Sequence, residues 1–286
     1  MNYRDNILTQ FKIMLNKKGF IISFCFMIAF SLYSYLMGVF ELNGLDRYLC
    51  RGVEGQFLLN FLNSNSEIWC SIYPMIIILP FCFSVIIDKE IHINDLMIVR
   101  GSRKKYYISK AVVAFIGAFL ICFVPLIINN FLNSVTFYDG VTNISWVQKL
   151  QEQYSADLLG TNVIVNTKYK IVPLVGLYVR HPIIFNYVWA LFVSTVAGFI
   201  SVFVFACSFY IKRYTVFLFL PFYLIITVLG KLTPSLSTNN YISFNFEQYI
   251  QVNSLYGRSY SLLWMFIGFL LLIAILLIRR EYKKDF

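Results

Sequence analysis

The side chains that most often do nucleophilic or metal chemistry are scarce here: two histidines, His92 and His181, and six cysteines among 286 residues. Neither histidine belongs to an H-E-x-x-H pair, no Cys/His cluster has metal-ligand spacing, and no G-x-S-x-G elbow presents a serine nucleophile. Cys25, Cys82, Cys122 and Cys207 fall inside apolar runs, where a small polarisable side chain packs and need bind nothing. Cys50 and Cys70 lie in or beside one loop, and a bridge between them requires that loop to face an oxidising compartment. The G-x-x-x-x-G-K-[ST] phosphate loop is also missing, so the chain has no such route to ATP hydrolysis of its own. No catalytic residue and no metal ligand is assigned.

What must position any functional group is a set of membrane helices. Hydrophobic residues make up 59% of the chain and charged residues 13%, with a mean hydropathy of +0.69. A soluble domain carries about 25% charged residues, and half that charge does not cover a water-facing surface of this size. A cytosolic enzyme, a nucleic-acid reader and a disordered tail are thereby excluded. A bilayer core needs ~20 mostly apolar residues per helix. Six runs qualify, roughly 19–40, 68–87, 111–132, 187–211, 215–230 and 260–278. The expectation is an all-α integral membrane protein.

The net charge of +10 is distributed between these runs. Sixteen Lys and Arg fall to the side that receives the N-terminus, the 88–110 loop, Lys212-Arg213 and the C-terminus, against eight on the other side. Both termini are therefore expected in the cytoplasm and the chain in the cell membrane as a multi-pass protein. No acidic residue falls inside an expected span, which disfavours a transporter coupled to protons or sodium.

The cytoplasmic segments carry the functional signal. Residues 2–18 place Tyr3, Ile7, Leu8, Phe11, Met14 and Leu15 at steps of three and four, an amphipathic helix suited to the lipid interface. In the loop between spans two and three, Asn94 is a suitable N-cap and Asp95 complements the positive helix end. Arg100 falls in the last turn, Gly101 at the stop, and Ser102 caps the next helix. The resulting knob exposes Leu96, Met97, Ile98 and Val99, too apolar for an idle loop. Asp88 and Glu90 are expected to order the loop by pairing with Arg103 or Lys104.

Asp88-Lys89-Glu90, the apolar Leu96–Val99, Arg100-Gly101-Ser102-Arg103, then Tyr106 and Lys110 form a pattern that resembles the corresponding loop of type-2 ATP-binding-cassette (ABC) transporter permease subunits. The resemblance extends to the order of elements over 1–286, a single permease domain with six transmembrane helices, an N-terminal interfacial helix and small external loop regions. It implies that 94–101 is a coupling helix seated in a separate cytoplasmic ABC ATPase, which carries the ATP and magnesium. It further implies pairing with a second permease copy or a related permease. The external segment 133–182 is longer than such permeases usually have. Within it Trp146–Leu159 reads as helical and Thr161–Val175 as short strands. The corresponding outer segment of the family also leads one to expect Tyr241–Ile250 as a short re-entrant helix.

The function implied is export of a hydrophobic or amphipathic cargo (lipid, peptide or drug) along walls of aromatics and small hydroxyls such as Ser194, Thr195, Ser201 and Ser208. The alternatives are a stand-alone membrane immunity or binding protein without turnover, and a lipid-modifying membrane enzyme.

Overall fold

The structure is a computed structural model and describes residues 3–41, 52–60, 63–79, 84, 88, 102–137, 174–210, 246–252 and 260–283. All regular elements among them are helices. Helix α1 (Tyr3–Leu15) leads into α2 (Lys18–Glu41), followed by a short α3 (Val53–Gln56) and by α4 (Ser66–Ile76). The 34-residue α5 (Arg103–Thr136) comes next, then α6 (Val175–Arg180), α7 (Pro182–Cys207), α8 (Phe246–Ile250) and α9 (Tyr260–Tyr282). Helices α2, α5, α7 and α9 are long and apolar enough to cross a membrane, and they fall on the first, third, fourth and sixth expected spans. The expected span 215–230, the segment 94–101, Glu90, Cys50 and residues 138–173 of the long outer segment lie outside the described residues.

The second expected span departs from a continuous helix over 68–87. Helix α4 ends at Ile76 and passes into a turn at 77–79. Pro74 removes a donor from within the helix, and Pro80 disfavours helical backbone at Leu79.

Contacts between helices fix their directions. Ser31 donates to the Pro125 carbonyl at 2.7 Å, and Tyr35 shares a 2.8 Å hydrogen bond with Thr136, so α2 and α5 run in the same sense. Helix α7 runs opposite to them: Asn186 meets Asn130, Ser201 meets the Ala114 carbonyl, and the Phe209 ring meets Tyr107. Helix α9 follows α7, from Tyr260 beside Trp189 to Tyr282 beside Ile108. Tyr3 lies under the Lys105 ammonium. Both described ends of the chain therefore lie with the start of α5, hereafter the basic end; the opposite end is rich in side-chain amides.

Helix α5 is the hub, packing on α1, α2, α7 and α9. Its main partner is α7, and the two bury several small side chains, among them Ala114, Gly117 and Ala118 on α5 and Ala190, Ala197 and Ser201 on α7. Small residues allow backbones to approach closely, which is how helices associate where lipid offers no hydrophobic drive. Gly198 marks the closest approach, since a Cβ there would sit 2.5 Å from the Phe115 ring.

This contact makes a paired prediction. Alanine is favoured over glycine inside a helix by roughly 1 kcal/mol. At Gly268, where a Cβ would meet nothing within 4 Å, Gly268→Ala should hold or raise the unfolding midpoint of the detergent-solubilised protein. Gly198→Ala should lower it, because overpacking costs about 1–3 kcal/mol. Equal midpoints for the two variants would mean that α5 and α7 are not tightly packed at Phe115.

Candidate functional site

At the basic end one carboxylate ties three parts of the chain together. Asp88 Oδ2 accepts from the Tyr106 hydroxyl at 2.7 Å and from the Lys110 ammonium at 2.5 Å. The Lys110 side chain is 1% exposed, and its ammonium also lies 5.1 Å from the Tyr106 ring centre. Lys17, in the turn between α1 and α2, feels the same carboxylate: burial pushes its ammonium below the ordinary range and the attraction of Asp88 opposes that shift. Asp88 thus finds its partners further along α5 than Arg103 or Lys104, where the sequence placed them. Tyr106 and Lys110 stand one turn apart on a buried face of α5, whereas Lys104 points outward.

Helix α5 begins as the sequence anticipates. Ser102 Oγ accepts the Lys105 N–H at 3.3 Å, relieving one of the unpaired donors of the first turn. Asp88 and Ser102, which flank residues 89–101 in the sequence, are thus both held to the first turns of one helix. Of the residues assigned to ATPase coupling, Asn94, Asp95, Leu96, Met97, Ile98, Val99, Arg100 and Gly101, all fall within this span and outside the described residues. Helix α1 lies alongside, against α5 and α2. Its Met14 is fully buried and Ile7 and Phe11 pack on the core, while Leu15 and Leu8 face outward. The buried stripe also contains Asn6 and Gln10, which the apolar spacing did not mark.

The other end of the bundle holds a polar network that the sequence reading missed. Residues 52–60 are buried throughout, and the one-turn α3 is the only regular structure among them. Irregular backbone at membrane depth survives only where protein groups replace water. Side-chain amides do so here. Asn129 Oδ1 accepts the Leu58 N–H at 3.1 Å, and Asn133 donates to the Gln56 carbonyl at 3.0 Å. Asn63 donates to that same carbonyl at 2.9 Å, and Asn60 to the Glu54 carbonyl at 2.6 Å. Asn186 on α7 closes the set through Asn130 at 3.0 Å. Gly38 admits the segment to α2, since a Cβ there would lie 2.6 Å from Gln56 Oε1. Glu54, in the expected outer loop, is 1% exposed.

The signal was present in the sequence as three asparagines at 129, 130 and 133 within an apolar run, an expensive choice unless each amide has work. The hydroxyls expected along a cargo path are occupied otherwise. Ser201, Ser208 and Thr195 donate to the carbonyls of Ala114, Phe205 and Leu191, and Ser194 is fully buried. Among the described residues no three His, Cys, Asp or Glu side chains converge as a metal site requires.

Removing one member of a buried ion pair costs about 3–5 kcal/mol, since it strands the other charge. Asp88→Asn should therefore lower the thermal midpoint strongly, and Asp88→Asn with Lys110→Met should recover part of the loss. A double variant as unstable as the sum of its singles would show that Asp88 and Lys110 act separately. A comparison of the chain with family models, with curated proteins and with solved structures returns no match, so the functional reading rests on these residues alone.

Proposed function

We propose that the chain is the membrane-spanning permease subunit of an ATP-driven exporter of a hydrophobic or amphipathic cargo, driven by a separate ABC ATPase. The observation that carries this reading is that Asp88 and Ser102, the residues on either side of 89–101, are both tied to α5. Asp88 is held by Tyr106 and Lys110, and Ser102 caps the same helix, so a load applied to 94–101 enters α5 directly. Helix α5 touches α1, α2, α7 and α9 and distributes that load through the bundle. A segment flanked by two anchors on the hub suits an external motor, and with no phosphate loop in the sequence the motor is a different chain. ATP and magnesium then belong to the partner.

The six-crossing layout has support of its own. Helix α7 finishes at the basic end, while α8 and the start of α9 lie at the amide end, where Trp189 donates to the Ile250 carbonyl at 2.7 Å. The chain has to return between Tyr210 and Phe246, which accommodates the apolar run 215–230. The chain descends from Asn65, beside Ser34, through α4 and the turn at 77–79 to Leu79, whose carbonyl lies against Gly19. In this reading the basic end is cytoplasmic, α1 is the interfacial helix with Leu8 and Leu15 toward lipid, and a second permease completes the pathway.

Two experiments bear on the proposal. A cysteine at Ser155 should react with an impermeant reagent in intact cells and one at Ser102 only after lysis; labelling of Ser102 from outside sinks the orientation. For coupling, Leu96→Glu and Gly101→Val should release a co-purifying ATPase or uncouple its hydrolysis from cargo while the protein still inserts. Losing an interface anchor of this kind costs about 1–2 kcal/mol or more, roughly tenfold in occupancy. Full retention of partner and stimulation in both variants assigns coupling elsewhere.

A further inference from the structure

Helices α5, α7 and α9 enclose an open cleft of about 440 Å³ on the flank of the bundle. Its α9 wall is a single helical face of Leu271, Ile275 and Ile278, ending at Arg279 and Tyr282. On the α5 wall Phe115, Val112 and Ile108 descend in the same direction, from mid-helix to the basic end. From Leu271 to Tyr282 the rise is roughly 16 Å, close to half of a ~30 Å hydrocarbon core. The cleft therefore extends over about one leaflet.

Charge is confined to its basic end. Arg279 is the one ionised side chain in the lining. Lys104 stands one turn before Ile108 on the same face of α5 and is exposed. Neither forms an ion pair among the described residues. An apolar trough one leaflet long, with Arg279 in its lining and Lys104 one turn beyond Ile108 on α5, is complementary to a chain with an anionic head. We propose that this cleft holds one acyl chain of an anionic phospholipid from the cytoplasmic leaflet, with its phosphate between Arg279 and Lys104. The lipid bridges the hub helix to α9, whose own contact with α5 is slight compared with that of α7. The inference requires α5, α7 and α9 to lie in a membrane and does not depend on an ATPase.

The test uses the full chain in detergent, mixed with phosphatidylglycerol or phosphatidylcholine and read by native mass spectrometry. One phosphatidylglycerol per chain should survive, preferred over phosphatidylcholine by roughly 25-fold, about fivefold from each cation. Arg279→Gln and Lys104→Gln should each reduce the preference to about fivefold, and the double variant should show none. Val112→Trp, which fills the trough from its open side, should expel the retained lipid without moving the unfolding midpoint. Ile275→Trp repeats this from the opposite wall, so a folding defect in one variant does not decide the matter. Arg280 packs on the Tyr210 ring 5.8 Å away and does not line the cleft, so Arg280→Gln should change nothing. Equal retention of both lipids by the native chain overturns the proposal. So does lipid retention in both tryptophan variants, or an Arg280→Gln effect as large as that of Arg279→Gln.

Discussion

A chain with too little charge to face water has to satisfy its polar groups internally, and α5 is where this protein does so. At one end of that helix a carboxylate from elsewhere in the sequence is shared by Tyr106 and Lys110. At the other, Asn129 and Asn133 complete the backbone of a buried irregular segment while Asn130 donates to the Ile183 carbonyl of α7. Lys110 and Asn129 are separated by roughly 28 Å of helix, nearly the thickness of a hydrocarbon core. Between these polar ends the helix presents small residues to α7 and apolar ones to lipid. Its neighbours take their positions from those three zones.

The two ends differ in kind. The Asp88 cluster is ionic, so its integrity depends on charge balance and on the water admitted near Lys17. The amide network is neutral and directional, and each of its members would be costly to orphan. Amide donors and acceptors hold residues 52–60 in one register against α2 and α5, and the close approach at Gly38 leaves Gln56 little room to move. A bundle built this way is held by many directed bonds at the amide end and by one ionic cluster at the basic end.

What the sequence made legible follows from the range of each interaction. Helices α2, α5, α7 and α9 are written in runs of 23 to 34 consecutive residues, and Ser102 declares its cap three residues before the Lys105 N–H that it accepts. The break in α4 was foreshadowed by Pro74 and Pro80, although hydropathy averaged across them. The partner of Asp88 was sought among the nearest cations, Arg103 and Lys104, yet the helical period puts Tyr106 and Lys110 together on the inward face. The asparagines were harder to read because their partners, Gln56, Leu58 and Asn186, lie tens of residues away and join them only after the helices have packed. In α1 the spacing of Ile7, Phe11 and Met14 suggests a face toward lipid, whereas these residues pack on the protein core alongside the buried amides Asn6 and Gln10.

The residues of the ionic cluster also set an order of events during synthesis. Lys17, Asp88, Tyr106 and Lys110 all precede the midpoint of the chain, so the cluster is complete as soon as α5 has left the ribosome and entered the bilayer. Helices α1, α2, α4 and α5 can then dock as a unit while α7 is still unmade. The small-residue face of α5 stays open until α7 arrives, and α9 is added to the flank last. The nascent protein is thus locked first at its basic end.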